Sequence, residues 1–394
     1  MFLRCFTCDA RFGNEPTLYS CRKCENPLEV LYEDAEFARA GSFEGQGVWR
    51  YQNLLPISKA VTLGEGNTGL HLCERAGKDF GIPRLLVKNE GENPTGSFKD
   101  RGMTVGIAMA RAAGARAVGC ASTGNTSASM AAYAARAGLT ALVLLPAGKV
   151  ALGKLSQAIA HGAKIAQVEG NFDDAMRLVV ELSVKERSVY LLNSLNPYRL
   201  EGQKTLAFEV CEALGDAPDA VVLPMGNAGN ISAIWKGFLE FKRLGRISRL
   251  PRMIGVQAEK AAPIARAWTT KSAYETVPNP ETLATAIRIG APVSWRKAMA
   301  ALQDSGGDAG TVTDGEILEA QQYLARTEGL FVEPASAVPI AFLLQKRLPL
   351  AGLNTVVCVT TGHGLKDPDA LSKAPVRMQQ VKPTLDAIRK VLDG

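Results

Sequence analysis

Long apolar runs, clusters of positive charge and histidine are all scarce in this sequence, and each shortage argues against a class of protein. No window reaches the roughly 18 uncharged apolar residues of a membrane-spanning helix. The formal charge is only +6, and no basic run or interleaved aromatic stripe suggests a nucleic-acid partner. Three histidines and the lack of a GxSxG motif give little support to a Ser-His-Asp hydrolase. We therefore expect no contact with membrane or nucleic acid.

The remaining composition is that of an ordinary globular protein. The 394 residues are 46% hydrophobic and 21% charged, and the length suggests two or three domains. The first residues, MFLRCFTCDARFG, lack the apolar stretch of a signal peptide, so we expect a cytoplasmic location. Four cysteines occur singly in apolar stretches and fit buried thiols of a reducing compartment: Cys73, Cys120, Cys211 and Cys358.

The other four cysteines form two CxxC pairs near the N-terminus. Two such pairs can surround one tetrahedral zinc ion. Four thiolates leave no open position for chemistry, so the zinc would be structural and away from the reaction. The alternative is two idle reduced pairs; a redox role is less favoured, because neither pair opens a helix in a βαβ unit. We predict a zinc-ribbon-like segment over residues 1–30, with the ligands Cys5, Cys8, Cys21 and Cys24.

From about residue 84, short apolar runs alternate with helical patterns. RLLVKNE, TALVLLPA, DAVVLPMG and NTVVCVTTG are typical of strands buried on both sides. FKDRGMTVGIAMARAAGA is typical of a helix whose small residues allow close packing, and LEGQKTLAFEVCEAL of another helix. This alternation predicts an α/β fold with parallel sheets covered by helices on both faces, and ligands at the carboxyl ends of the strands.

A glycine-rich turn follows one of these strands, in VLPMGNAGNI. Small residues there let backbone N–H groups close around an anion, and the next helix adds the favourable field of its N-terminus. The alternative is a simple tight turn. As a phosphate-binding loop it would consist of Gly226, Asn227, Ala228, Gly229 and Asn230.

Two further strand ends carry more polar groups than a turn requires. In ASTGNTSAS, the side chains are either a capping turn or a site for a carboxylate or phosphate, with Asn125 directed at a ring substituent. In VCVTTGHGLKD, the hydroxyl of Thr361 can hydrogen-bond a heteroaromatic nitrogen without protonating it. The candidate residues of the first turn are Ser122, Thr123, Asn125 and Thr126.

Lys99 lies in NPTGSFKDRG, where a polar turn leads directly into a helix. A lysine in the first turn of a helix, in a partly dry pocket, has its pKa lowered, and the neutral amine can form a Schiff base with an aldehyde. Pyridoxal phosphate needs such a lysine, a phosphate-binding loop and a partner for its ring nitrogen. Lys99, the 226–230 loop and Thr361 provide one each.

Four of these stretches together, NPTGSFKDRG, STGNTSAS, PMGNAGNI and TTGHGLKDP, resemble the threonine synthases, in the tryptophan-synthase-β-like group of pyridoxal-phosphate enzymes. LGEGNTGL, PAGKVALGK, LNSLNPYR, AIRIGAPVSW and EPASA add to the likeness, and the four-cysteine segment resembles an N-terminal extension of some members. The resemblance implies a larger cofactor-binding α/β domain, 31–101 and 201–394, and a smaller substrate-binding one, 102–200. We also expect a homodimer.

The resemblance further implies an activity, the conversion of O-phospho-L-homoserine and water to L-threonine and phosphate through a Schiff base on Lys99. Lys99 would also move protons at the substrate carbons. The 226–230 loop would hold the cofactor phosphate, Asn125 the cofactor 3′-oxygen and Thr361 the ring nitrogen. The substrate carboxylate or phosphate would contact Ser122, Thr123 and Thr126, and the substrate phosphate would contact Lys154, Asn193, Ser194 and Arg199.

Other functions remain open at this point. Arg199 and Lys154 could simply lie on solvated helix faces. Within the same fold group the chain could be a serine or threonine dehydratase, or a cysteate synthase acting on O-phosphoserine, and outside it a regulatory binding protein. An intact Lys99 argues against the last. The phosphate-binding set, which consists of Asn193, Ser194 and Arg199, argues against a dehydratase, because the substrates of dehydratases have no phosphate. That set does not separate phosphohomoserine from phosphoserine, which differ by one methylene.

Overall fold

The computed structural model describes residues 1–40, 42–122, 124–147, 152–347, 352–367 and 380–392, with backbone only at 152–154. Thr123 and the side chain of Lys154, both expected at the substrate, lie outside the described part. Within it, every helix is too short or too polar to cross a lipid bilayer.

The N-terminal residues form a small antiparallel sheet of their own. Strand β1 lies between β2 and β3, with Leu3 opposite Phe12 on one side and Val30 on the other. A short helix, α1, follows. The bounds are β1 Phe2–Cys5, β2 Arg11–Phe12, β3 Leu28–Leu31 and α1 Asp34–Arg39.

The next stretch leads to the lysine turn. Strand β5 is buried along almost its whole length, and β4 pairs with it in the antiparallel sense. The antiparallel edge strand was not predicted from the apolar runs. The bounds are β4 Leu70–Leu72, α2 Glu74–Phe80, β5 Arg84–Asn89 and α3 Lys99–Ala112.

Residues 117–191 form a four-stranded parallel sheet in the order β8-β7-β6-β9. Of the run VYLLN only two residues are strand. The bounds are β6 Ala117–Ala121, α4 Asn125–Ala137, β7 Thr140–Pro146, α5 Leu152–Ala160, β8 Lys164–Val168, α6 Phe172–Val184 and β9 Tyr190–Leu191.

The remaining strands join β4 and β5 in a six-stranded sheet, in the order β12-β11-β10-β13-β5-β4 and parallel except for β4. The bounds are α7 Tyr198–Gln203, α8 Thr205–Leu214, β10 Ala220–Pro224, α9 Gly229–Arg243, β11 Arg252–Ala258, α10 Pro263–Thr270, α11 Trp295–Asp304, β12 Asp308–Val312, α12 Asp314–Glu328, α13 Pro334–Leu344, β13 Thr355–Thr360 and α14 Leu385–Leu392.

Both faces of the large sheet are buried, as the apolar runs predict. Along β13, Val356 and Cys358 belong to one apolar cluster, and Val357 and Val359 belong to a second cluster on the opposite face. A strand covered on both sides has no polar face, which explains why its sequence is apolar without alternation. The α/β class with parallel sheets and helices on both faces is confirmed.

Candidate active site

Three neighbouring strands of the large sheet carry the three loops that the sequence singled out. The order β10-β13-β5 places their carboxyl ends at one edge of the sheet. The 226–230 loop follows β10, Thr361 follows β13, and the turn before Lys99 follows β5. Parallel neighbours thus bring together residues that are far apart in the chain.

The lysine turn is hydrogen-bonded to the end of β13. The backbone N–H of Phe98 donates to the carbonyl of Thr361 at 3.0 Å, and the N–H of His363 donates to the carbonyl of Gly96 at 2.9 Å. Gly96 has φ of +81°, a backbone conformation that suits glycine. These bonds fix the start of α3, and with it Lys99, against Thr361.

Lys99 has an environment that favours its neutral form. Burial lowers its pKa from 10.5 to about 7, with help from the positive charge of Arg199, while Glu333 acts in the opposite direction. Its Nζ lies 4.2 Å from the centroid of the Phe98 ring. The lowered pKa has the direction expected from the sequence, and its main cause is the loss of water around the amine.

Asp100, the residue after Lys99, connects the lysine turn to α4. One carboxylate oxygen accepts from the hydroxyls of Thr95 at 2.7 Å and Ser129 at 2.5 Å, and the other accepts from the backbone N–H of Thr95 at 2.7 Å. Burial raises the pKa of Asp100 to about 6, although these donors oppose the rise. The carboxylate fixes the turn and touches the four-stranded unit through α4.

Arg101 anchors the other side of the same turn. Its buried guanidinium donates to Glu90 at 2.6 and 2.8 Å and to Glu209 at 2.7 Å through two nitrogens. Lys88 donates to Glu209 at 2.7 Å. Burial opposes ionisation of Glu209, but Arg101 and Lys88 outweigh it and hold its pKa at about 2. This charge cluster ties α3 to β5 and α8 beneath Lys99.

The 226–230 loop has the shape expected of an anion-binding turn. Ala228 has φ of +60°, and α9 begins at the next residue. A Cβ on Gly226 would lie 3.2 Å from the carbonyl oxygen of Ala286. Asn230 is buried, and within the described chain neither of its amide atoms has a hydrogen-bond partner. A buried amide without partners fits a polar ligand at the start of α9.

Asn227 supports this loop from outside. Its backbone carbonyl accepts from Ser294 N–H at 3.1 Å, and its side-chain oxygen lies 3.4 Å from the N–H of Val293. Both donors belong to the AIRIGAPVSW stretch. The Asn227 amide therefore braces the loop against residues 286–295.

Thr361 is buried at the end of β13. Its hydroxyl lies 2.9 Å from the hydroxyl of Ser336, and the Ser336 oxygen also accepts from Gly362 N–H at 2.8 Å. The Thr361 hydroxyl thus has a fixed position beside the lysine turn.

Glu333 is a site residue that the sequence reasoning missed. Its buried carboxylate accepts from the side-chain nitrogen of Asn125, 3.1 Å from each oxygen, and so connects α13 to α4. Burial raises its pKa, while Asn125 opposes the rise. The only signal was the EPASA stretch, where no feature distinguishes this glutamate from a helix-capping residue.

Arg199 lies in α7 beside the glycine face of α3. A Cβ on Gly102 would lie 2.8 Å from the Arg199 carbonyl oxygen, and one on Gly106 would lie 3.2 Å from Arg199 Cγ. Arg199 is 3% exposed, and its Nε and Nη2 have no hydrogen-bond partner among the residues described. Burial lowers its pKa to about 10. A buried guanidinium with two nitrogens that lack partners in the described structure, close enough to Lys99 to lower the pKa of that amine, suits an anionic ligand.

Two of the other predicted substrate contacts, Asn193 and Ser122, differ from Arg199 because their side chains are hydrogen-bonded to the protein backbone. The Asn193 amide accepts from the backbone N–H of Ala121 at 3.0 Å and donates to its carbonyl at 3.1 Å, so it fixes the end of β6. The Ser122 hydroxyl accepts from Gly124 N–H at 3.3 Å, as in a capping turn. Thr126 and Ser194 are half-buried.

The four N-terminal cysteines converge on one point. Their sulfur atoms all lie within 4.8 Å of one another, with Sγ separations of 3.4 Å for Cys5–Cys24 and 3.6 Å for Cys8–Cys21. Zn–S bonds of about 2.3 Å in a tetrahedron place sulfurs about 3.8 Å apart, close to these values. The donor set and its spacing fit one zinc ion.

Known proteins are similar to this chain over most or all of its length. The family profile of pyridoxal-phosphate dependent enzymes matches residues 61–362. The threonine synthase of Methanocaldococcus jannaschii is 53% identical over 407 positions, covering 100% of this chain and 99% of that protein. That of Methanosarcina acetivorans is 51% identical, covering 100% and 98%.

Solved structures with little sequence likeness share the fold. Maize serine racemase superposes with a TM-score of 0.65 at 21% identity, covering 75% of this chain and 88% of that one. Threonine deaminase isoform 2 from Solanum lycopersicum gives 0.64 at 20% identity, covering 78% and 88%. At such identities the likeness shows the fold alone.

Proposed function

Because this chain belongs to the pyridoxal-phosphate-dependent enzymes, we propose that it is a threonine synthase, which converts O-phospho-L-homoserine and water to L-threonine and phosphate. The full-length likeness to two threonine synthases, at 53% and 51% identity, supports the reaction. Among the structural observations, Arg199 supports a phosphorylated substrate most directly. Its guanidinium is buried close enough to Lys99 to lower the pKa of that amine, and its Nε and Nη2, which have no partner among the described residues, fit an anion.

The described residues fit the cofactor. Lys99 has an amine with a pKa of about 7, so a substantial fraction is neutral and able to bond to an aldehyde near neutral pH. The unpaired amide of Asn230 and the start of α9 would hold the cofactor phosphate together with the rest of the 226–230 loop. Thr361 would face the ring nitrogen of the cofactor. Asn125, which is oriented by Glu333, would face the 3′-oxygen.

Each residue then has a task in the reaction. When bound, pyridoxal phosphate withdraws electrons from the substrate Cα. With its amine free, Lys99 would accept and return protons at Cα, Cβ and Cγ of the substrate. Arg199 and Ser194 would bind the substrate phosphate and stabilise its charge as it leaves, and Ser122 and Thr126 would bind the carboxylate. Thr123 and Lys154 are proposed for the same group of contacts.

The experiment that tests this function compares substrates on the purified enzyme. Threonine and phosphate release are measured with O-phosphohomoserine, O-phosphoserine, threonine and serine as separate substrates. We expect phosphohomoserine to be by far the fastest. A higher kcat/KM for phosphoserine would favour a cysteate-synthase-like enzyme, and faster turnover of plain serine or threonine would favour a dehydratase; either result overturns the proposal.

Thr361→Asp is expected to bind the cofactor but to lose threonine formation. A carboxylate favours a protonated ring nitrogen and thus stronger withdrawal of electrons from Cα, whereas a hydroxyl is far too weak an acid to donate a full proton. Transamination should increase as a side reaction. Thr361→Ser keeps the hydroxyl and serves as the control, with activity close to wild type. Undiminished threonine formation in the Asp variant would refute the contact with the ring nitrogen.

We also propose that the four-cysteine cluster binds one structural zinc ion. Metal analysis should find about one zinc per chain, and changing Cys5 and Cys21 to Ser should remove it. Cys73→Ser, at a buried cysteine outside the cluster, is the control and should retain the metal. Protein that is fully folded but free of zinc would contradict the assignment.

The proposed enzyme is a cytoplasmic homodimer. Its support is the resemblance to the biosynthetic enzymes of this group. Light scattering coupled to gel filtration tests the assembly, and a mass near 42 kDa would contradict a dimer.

A further inference from the structure

Residues 190–204, here called the anion segment, lie between the proposed active site and the four-cysteine unit, residues 1–32. Arg199 belongs to this segment and lies against the glycine face of α3. Tyr198, directly before it, and Glu201, two residues after it, contact the four-cysteine unit instead. The segment therefore touches both parts of the molecule.

Tyr198, the neighbour of Arg199, makes the most direct of these contacts. Its hydroxyl lies 3.0 Å from the backbone carbonyl oxygen of Glu15 and 3.1 Å from the side-chain oxygen of Asn14, and it donates its hydrogen to this pair. The residue is fully buried. Tyr198 is also the first residue of α7, so these bonds fix the start of that helix.

Two more contacts surround the first. The hydroxyl of Tyr19 accepts from the backbone N–H of Leu191 at 3.1 Å, and the Tyr19 ring packs edge-on against Tyr190 with centroids 5.6 Å apart. Beyond Arg199, the hydroxyl of Tyr32 donates to Glu201 at 2.8 Å. The four-cysteine unit thus holds the anion segment before and after the arginine.

The loop that carries these contacts is closed by the cysteines. Asn14, Glu15 and Tyr19 lie between Cys8 and Cys21, whose sulfur atoms are 3.6 Å apart. Drawing the two ends of a loop together restricts the conformations of everything between them. The geometry of the cysteine cluster is therefore transmitted to the loop that receives the Tyr198 hydroxyl.

α7 depends on such support. It has only six residues, too few to be stable by its own hydrogen bonds, so its orientation is set by α8, which follows directly after Lys204, and by the elements packed against it. Gly102 and Gly106 fix one side of it, and the four-cysteine unit fixes the other. The guanidinium of Arg199 cannot align itself, since its Nε and Nη2 bond to nothing in the described structure.

We propose that the four-cysteine unit positions Arg199 for the substrate phosphate, with Tyr198 as the positioning residue. This inference rests on the proposed function, because it takes Arg199 to be the phosphate-binding group. It gives the cysteine cluster a mechanical role in substrate affinity and no role in the chemistry itself.

Tyr198→Phe tests the proposal, because it removes one hydroxyl and leaves the ring in place. In the holoenzyme we expect the dissociation constant of inorganic phosphate, measured by calorimetry, to rise about three- to tenfold, the effect of one lost hydrogen bond. KM for O-phosphohomoserine should rise in parallel. Cofactor affinity should not change, because the 226–230 loop holds the cofactor phosphate.

Tyr51→Phe is the matched control. Tyr51 is also buried, and its hydroxyl donates a single 2.8 Å bond to Glu212, away from the anion segment. We expect a comparable fall in melting temperature for both variants, but weaker phosphate binding only for Tyr198→Phe. Asn14→Ala removes part of the same contact, so adding it to Tyr198→Phe should cause less than the sum of the two single effects.

Two failures can be told apart by including Arg199→Ala. If that variant binds phosphate less tightly and Tyr198→Phe binds it as the wild type does, the positioning role is wrong while the proposed function stands. If both variants bind phosphate as the wild type does, Arg199 is not the phosphate group, and the substrate site itself is wrong. Equal weakening in Tyr198→Phe and Tyr51→Phe would mean a general loss of stability and would also overturn the inference.

Discussion

Lys99→Ala is expected to lower kcat for threonine formation by at least about a thousandfold, within the range for loss of a general acid–base group. In the proposed function, the variant loses both the covalent hold on the cofactor and the group that moves protons at the substrate carbons. Folding should be normal, because Lys99 lies at the start of α3 and the buried anchors of that helix are Asp100 and Arg101.

The assignment of Lys99 is checked by chemistry as well as by rate. The wild-type protein should be yellow, and borohydride reduction followed by peptide mapping should place the pyridoxyl group on Lys99. Lys78→Ala, at an exposed lysine on α2, is the control and should keep colour, label and activity. A label on another lysine, or protein that stays colourless after cofactor is added, would remove Lys99 from this role.

The same amine sets a pH dependence. Lys99 bonds to the aldehyde only when neutral, and its pKa in the cofactor-free protein is about 7. The rate at which cofactor-free enzyme takes up the aldehyde should therefore increase as the pH rises through about 7 and fall on the acid side. A lysine with an ordinary pKa would give a rise only near pH 10 or above, about three units higher.

Arg199→Ala should lower kcat/KM for O-phosphohomoserine roughly ten- to a hundredfold. In the proposed site, the variant removes a charge-assisted contact of about 1.5–3 kcal/mol on which both binding and departure of the phosphate would depend. Steady-state kinetics on the phosphorylated substrate measure the effect. Cofactor content should stay normal, because we assign the cofactor phosphate to the 226–230 loop and not to Arg199.

Two comparisons separate this role from a structural one. Arg199→Lys keeps a positive charge but loses the planar guanidinium, which can donate two parallel hydrogen bonds to a phosphate. We therefore expect a loss of kcat/KM between those of the wild type and Arg199→Ala. Any side activity on plain serine or threonine should fall much less than activity on phosphohomoserine, because those substrates have no phosphate. An equal fall on both kinds of substrate would mean that Arg199 supports the packing of α7 against α3.

Most of the fold could be predicted from the sequence because the patterns that indicate strands, helices and turns lie within short stretches of the chain. Strands such as β10 and β13 are buried on both faces, and their sequences are therefore unbroken apolar runs. The glycine and hydroxyl residues that follow them mark turns at one edge of a parallel sheet. Strand order was not needed to expect that Lys99, Thr361 and the 226–230 loop belong to one site, although the order explains why they meet.

The features that were missed depend on partners distant in sequence. LEGQKTLAFEVCEAL has one helical pattern, yet the structure divides it at Lys204, whose buried amine bonds to Glu201 at 2.6 Å and Glu240 at 3.0 Å. Arg101 also lies in a regular helical pattern, and nothing local shows that it is buried. Glu333 and Tyr198 are missed for the same reason, since their roles come from contacts with Asn125 and with residues 14–15.

The position of β13 in the large sheet has a consequence for how the enzyme is made. This strand is synthesised last of the six, yet it lies between β5 and β10 and is hydrogen-bonded to both. A chain still on the ribosome contains Lys99 and the 226–230 loop but has a gap between the strands that carry them. Pairings between such distant segments form late in folding. We therefore expect the proposed cofactor site to be complete only in chains translated past residue 361, and we expect no activity from chains that end before β13.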